Sequence, residues 1–260
     1  MSDATYAAVV AAGRLGFRAL DLRVRAEGVE HVPLSGPAVL ASNHVSFPDF
    51  LFLGRALLPT RRRVRFLCRR DVWDSAAGPW LDRMGHVPVD RANPAAAYLQ
   101  ARALLRRGEV VCVFPEAGIS AAYVVRALMP GAAALARETG APLVPVVTWG
   151  GARLWGQKRA PEDPLPRPVA TRARTVDVRV GTPRHVAPDA DLTATTRDLG
   201  TRLQAGLEEL QGLPEHRPRP GEVAPWHPAH LGGDALDRAT SLTLDPMPRH
   251  AVKPTWGAGV

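Results

Sequence analysis

Ala38-Val39-Leu40-Ala41-Ser42-Asn43-His44-Val45-Ser46-Phe47-Pro48-Asp49 is a short apolar run that stops at polar residues and turns through a proline into a helical pattern. Four apolar residues are too few for a helix. Bounded upstream by the turn-forming Pro33-Leu34-Ser35-Gly36-Pro37, they read as a buried strand. Asp49 is then placed to open a helix over about 49–58. The same succession recurs along the chain. Strand-like runs fall at 22–25, 64–67, 86–89, 110–114, 143–147 and 175–180, and helical stretches near 75–84, 94–107, 121–139 and 191–210. Gly140 follows the helix expected over 121–139 as its C-terminal cap. Strands separated by helices predict an α/β fold with a mostly parallel central sheet covered by helices on both faces.

Two flanks differ from this middle. Between Ala4 and Leu20, Tyr6, Val10, Gly13, Phe17 and Leu20 form one helical stripe with Arg14 and Arg18 at its edge, so residues 1–21 are expected as an amphipathic, membrane-associating helix. The alternative is a helix that covers its own core. After Leu213 the chain is rich in proline, histidine and arginine without sustained periodicity, and 214–260 is expected as an irregular extension, leaving 22–213 as the main domain. His227 and His230 in that extension are too isolated to suggest a metal site, and none is expected.

With 33 Lys plus Arg against 25 Asp plus Glu, the chain is strongly basic, and nearly all of that charge is arginine. This favours phosphate-bearing partners, although a GC-rich genome also encodes excess arginine, alanine and proline. Nucleic acid is not expected, because the arginines are scattered and no nucleic-acid motif accompanies them. Cys68 and Cys112 lie in apolar runs and read as buried thiols. No basic start precedes an apolar core at the N-terminus, and no apolar run approaches the roughly 18–20 residues needed to span a bilayer. The expected location is therefore the cytosol or the cytoplasmic face of a membrane, held peripherally.

Ligands of open α/β sheets sit beyond the carboxyl ends of the strands. Here those ends deliver Asn43-His44 with Asp49, Arg69, Arg91, and Glu116 with Gly118. A carboxylate bonded to one imidazole nitrogen leaves the other to take a proton, which makes His44 and Asp49 a candidate general-base pair. The bland alternative is that Asp49 caps its helix. Arg91 and Arg69 are candidate phosphate grips, since guanidinium groups bind phosphate oxygens through paired charged hydrogen bonds. Glu116 is a candidate to orient those arginines or bind acceptor hydroxyls, and Gly118 to permit a turn or close ligand approach. No Gly-x-Ser-x-Gly elbow and no Gly-x-x-x-x-Gly-Lys-Ser/Thr loop occurs, which argues against a serine acyl-enzyme and against nucleotide phosphoryl transfer.

Taken in order, Asn43-His44 with Asp49, Gly85-His86-Val87-Pro88-Val89-Asp90-Arg91, Phe114-Pro115-Glu116-Ala117-Gly118-Ile119-Ser120 and Val144-Pro145-Val146 resemble the four blocks of the lysophospholipid and glycerolphosphate acyltransferase family. The likeness covers about residues 22–182. It implies a glycerolphosphate acyltransferase-like fold, transfer of an acyl group from acyl-CoA or acyl-carrier protein to 1-acylglycerol-3-phosphate, no cofactor, and an acyl pocket near Val144, Pro145 and Val146. It also implies an anionic membrane surface as a partner. The third block departs from the family's Phe-Pro-Glu-Gly-Thr-Arg-Ser, with Ala117 in place of glycine and Ile119 in place of arginine. Met129-Pro130 stand where a basic pair is usual, and Arg126 is the candidate to compensate. These changes keep other acceptors open: another lysophospholipid, glycerol-3-phosphate or a glycolipid. A non-catalytic binder of anionic lipid or nucleic acid is the remote alternative.

Overall fold

The computed structural model describes residues 3–244 and 246–257. Met1, Ser2, Asp245 and the last three residues, which the expected segments 1–21 and 214–260 include, lie outside them. Helix α1 spans Asp3–Ala19. The strands are β1 (Arg23–Glu27), β2 (Ala38–Ser42), β3 (Val64–Arg69), β4 (Val87–Val89), β5 (Val110–Val113), β6 (Leu143–Trp149) and β7 (Thr175–Val180). Between and after them come α2 (Asp49–Ala56), α3 (Gly78–Met84), α4 (Ala95–Arg106), α5 (Gly131–Thr139), α6 (Ala152–Trp155) and α7 (Leu192–Gln211).

Among the described residues the strands form one seven-stranded sheet in the order β1-β7-β6-β2-β5-β3-β4. Only the β6–β7 pairing is antiparallel. Strand β2 therefore lies centrally, pairing in parallel with β5 and β6 and buried along its whole length. Its alternate side chains serve two cores. Val39 and Ala41 join the layer under α4, α5 and α7, while Ala38 and Leu40 join the layer containing Phe52 and Leu53 of α2. Helices thus cover both faces, as the strand–helix alternation predicts. In α7, Leu199, Leu203, Leu207 and Leu210 make the buried stripe at helical spacing. The Asp191 carboxylate caps its start by accepting from Thr193 N–H at 2.7 Å.

The stripe on α1 is directed inward. Tyr6, Val10, Gly13, Phe17 and Leu20 are its half-buried positions, and the Phe17 ring lies 6.0 Å from that of Phe52. Leu15, outside the stripe, is 71% exposed. Among the described residues no helix is long and apolar enough to cross a membrane.

The helix expected over 121–139 needs correction, because only 131–139 is helical. Pro130 precedes its first turn and Gly140 caps its end in the left-handed conformation. Residues 121–128 give their backbone groups to tertiary partners instead. Val125 N–H donates to Gln204 Oε1 at 2.8 Å, Tyr123 C=O accepts from Gln211 Nε2 at 2.8 Å, and Val125 C=O accepts from Trp256 Nε1 at 3.0 Å. Those bonds satisfy the groups a helix would otherwise have satisfied.

Residues 214–244 and 246–257 are largely irregular and wrap onto the α7 side. His216 Nε2 meets the Asp177 carboxylate of β7 at 2.6 Å, and that carboxylate also accepts from Arg25 of β1 at 2.6 and 2.7 Å. Leu128 and Val252 form an antiparallel bridge. The Trp256 ring is seated where a Cβ on Gly200 would stand 2.5 Å from it, so α7 offers a glycine to that ring. His227 packs against Trp149 and Trp226, whereas His230 faces Glu208 at 3.7 Å.

Candidate active site

Because β6, β2, β5, β3 and β4 run parallel, their carboxyl ends bring residues 42–48, 114–120, 69–71 and 90–91 to one edge. Asn43 ties the first of these down. Its side-chain amide accepts from Thr148 N–H at 2.8 Å and donates to Thr148 C=O at 3.0 Å, extending β2 onto β6. The chain then folds back on itself around Asp49. Fully buried, this carboxylate accepts from Val45 N–H at 2.8 Å, Ser46 N–H at 2.9 Å and the Ser46 hydroxyl.

Its remaining contact is His44 Nδ1 at 2.9 Å. Since the carboxylate only accepts, Nδ1 is the donor, and it is Nε2 that carries the lone pair in the neutral ring. The His44 side chain keeps 20% exposure while Asp49 has none. The ring stacks on Phe114 with centroids 4.3 Å apart, fixing its plane from the β5 side. Gly151 closes in from β6, and a Cβ there would stand 2.2 Å from Ser46 Oγ, so the helix entry and α6 meet without space for a side chain. Phe47 N–H donates to Trp155 C=O at 3.1 Å across the same seam.

Glu116 is also fully buried. One of its oxygens accepts from His44 N–H at 2.7 Å and the other from Arg126 N–H at 2.8 Å. The expected acceptor contact does not fit this geometry. Both oxygens face backbone amides, and the residue braces the histidine loop against residues 125–126. Burial pushes its carboxyl up to about 7, against the pull of the two amides and the nearby Arg126 charge. The left-handed residue of the following turn is Ala117 (φ 53°), which stands where the family pattern has glycine. Gly118 is buried directly after it.

Arg91 is exposed and donates from Nη2 to Ala117 C=O at 2.9 Å, so the second block reaches the third. Arg126 is half-buried behind Glu116. Arg69 does not join the cluster, because its guanidinium pairs with Asp71 two residues on, at the surface. Val144, Pro145 and Val146, expected near an acyl pocket, are strand residues of β6. Val144 and Val146 have no exposure, being central-strand residues packed under α2, and Pro145 borders a groove beside α7 with Arg184 and Leu199. Ile119, in place of the usual arginine, is 7% exposed and turned inward. His86 is buried, accepts from Phe66 N–H at 3.2 Å and is held neutral, its pKa lowered to about 4 by burial and the Arg65 charge.

Sequence reasoning missed Ser46, Phe114 and Gly151. The Ser46-Phe47-Pro48-Asp49 spacing before an apolar run has the form of a capping box, and it was the available signal for Ser46.

Residues 23–149 match the family described as Acyltransferase. That match takes in just under half of the chain. The same region is similar to curated proteins named 1-acyl-sn-glycerol-3-phosphate acyltransferase. One is from Bacillus subtilis, 29% identical over 129 residues that cover 49% of this chain and 63% of the relative. A chloroplastic one from Arabidopsis thaliana is 29% identical over 137 residues, 51% of this chain and 37% of the relative. The matched region thus spans less than two thirds of either relative. The crystal structure of the 1-acyl-sn-glycerophosphate acyltransferase PlsC from Thermotoga maritima shares the fold, with a TM-score of 0.63 and 20% identity over 77% of each chain.

Two outcomes follow from this geometry. Ala117→Gly relieves a left-handed alanine whose side chain is exposed, and should stabilise the protein by about 1 kcal/mol in urea unfolding. Glu116 holds its proton more tightly folded than unfolded, so its contribution is greatest at low pH and is lost as pH rises from the ordinary carboxylate range to about 7. Unfolding curves at pH 5 and pH 8 should show that loss, on the order of 2 kcal/mol, in the parent and not in Glu116→Gln.

Proposed function

We propose that the protein transfers an acyl group from a thioester donor, acyl-CoA or acyl-carrier protein, to the free hydroxyl of 1-acylglycerol-3-phosphate. His44 is the general base and Asp49 its orienting carboxylate. The observation that carries this reading is the bond from His44 Nδ1 to a carboxylate with no exposure, 2.9 Å long, on a ring that itself keeps a face to solvent. Such a pair has one tautomer and one nitrogen available for a proton.

In the proposed step the acceptor hydroxyl attacks the thioester carbonyl while His44 Nε2 takes its proton. The imidazolium is stabilised by Asp49, whose other donors hold it in place. Collapse of the tetrahedral adduct forms the ester and breaks the carbon–sulfur bond, and the imidazolium returns its proton to the departing thiolate. Arg91, exposed beside the Glu116–Gly118 turn, is the proposed contact for the acceptor phosphate. Glu116 acts through His44 as a positioning residue. The names of the curated relatives support the 1-acylglycerol-3-phosphate acceptor, and the apolar Ile119 favours weighing an acceptor with less charge. A peripheral place on the anionic cytoplasmic membrane surface is part of the proposal, supported by the exposed Leu15, Leu51 and Trp80 on α1, α2 and α3.

His44→Ala should lower acyl transfer to lysophosphatidic acid by about 10²-fold or more with the fold retained by circular dichroism, and undiminished transfer would remove the proposed base. Arg91→Ala should raise the KM for the acceptor with a smaller effect on kcat. An unchanged acceptor dependence, measured across a panel of phosphorylated and neutral lyso-acceptors, would remove its phosphate role.

A further inference from the structure

Beside α6 lies a polar cavity of about 560 Å³, lined by none of the residues assigned above to the acyl-transfer step. Four arginines line it, Arg153, Arg174, Arg217 and Arg219, with two carboxylates, Glu215 and Glu222. Glu215 is already paired with Arg25 of β1. Glu222 accepts from the Arg219 backbone N–H at 2.9 Å. The cavity is therefore cationic, and its cations stand close together. Burial and the neighbouring Arg174 charge lower the pKa of Arg153 to about 10.

Two of the arginines are held in place by the protein. Arg153 lies 3.4 Å over the Trp226 ring and donates from Nη1 to Glu215 C=O at 3.2 Å, and the Arg217 Nε–H donates to Gly212 C=O at 2.7 Å. The Nε–H groups of Arg153 and Arg174 are buried with no hydrogen-bond partner among the described residues. Gathering guanidinium groups is costly, and an anion with several oxygens offsets that cost.

Position links this cavity to the reaction. Strand β7 pairs with β6 so that Asp177 faces Trp149, which brings Arg174 and Thr175 level with Gly151. Gly151 touches Ser46 of the histidine loop, so the cavity and His44 share one end of the sheet. Ser42 at the end of β2 is level with Val146 and Val180, so the start of β7 lies two strand spacings across, about 10 Å, and five residues further along, about 17 Å.

We propose that Arg153, Arg174, Arg217 and Arg219 bind the phosphorylated nucleotide head of a coenzyme A thioester, the acyl donor of the reaction. This rests on the acyl-transfer reading and selects between its two donors. A concave cavity of this volume suits a small polyanion, whereas the acidic face of a carrier protein needs a broad surface, near 800 Å² on each partner. The irregular segment after Leu213 supplies Arg217 and Arg219, and so forms one wall of the donor site.

Calorimetric titration of the full chain with coenzyme A, 3′-dephospho-coenzyme A and pantetheine tests the proposal. Coenzyme A should bind most tightly, loss of the 3′-phosphate should weaken binding, and pantetheine should bind weakest, with affinity falling as salt rises. Folded Arg174→Gln/Arg219→Gln should bind coenzyme A about tenfold or more weaker. Equal affinity of the parent for coenzyme A and its dephospho form, or unchanged affinity in the double variant, would overturn the site. Acyl transfer from an acyl-carrier protein without coenzyme A binding would overturn it and leave the acyl-transfer reading intact. Phosphate-dependent coenzyme A binding, lost in the double variant, in a protein with no acyl transfer would support the site and overturn that reading.

Discussion

A carboxylate shut away from water must collect hydrogen bonds from the protein itself, and Asp49 collects four, from the His44 ring, two backbone amides and the Ser46 hydroxyl. To supply them, residues 44–46 must curl around the first turn of α2. That curl fixes where the histidine stands at the end of the central strand. Glu116 imposes the same demand from the other side and meets it with amides from two separate segments. Two buried acids thus clamp one loop between β2 and β5. The catalytic geometry proposed for His44 is a by-product of satisfying them.

The sheet was legible because its signal is local and repeated. Short apolar runs such as Val110 to Phe114 cannot be helices, and their alternation with periodic segments leaves few architectures. His44 and Asp49 were legible for a related reason, since the end of a parallel strand is where polar residues gather into a site. What failed to show was whatever depends on distant partners. Ala121 to Pro130 has the composition of a helix, but Gln204, Gln211, Val252 and Trp256 claim its backbone. Glu116 reads as a surface acid among arginines until its burial is known. Arg69 and Arg91 look alike in sequence, yet Asp71 takes one while the Ala117 carbonyl turns the other toward the site. Val144 and Val146 carry the family pattern at positions where the sheet has already filled the space around them.

The segment after Leu213 shows how composition can mislead about order. Proline and arginine deny it regular structure, but they do not deny it contacts. His216 reaches a buried acid on β7, one strand in from the sheet edge, and Trp256 lies in a notch that α7 opens with a glycine. An irregular chain can be as firmly tied as a helix when its few large side chains each find a prepared seat.

The tie between Trp256 and Val125 spans 131 residues of sequence. A nascent chain emerges in order, so the loop between β5 and α5 is made long before the indole that completes its bonding. Until then the sheet can assemble, because its strands need only one another, while the wall beside the histidine waits with unpaired backbone groups. The bonding of that loop is therefore complete only once the chain has been made as far as Trp256.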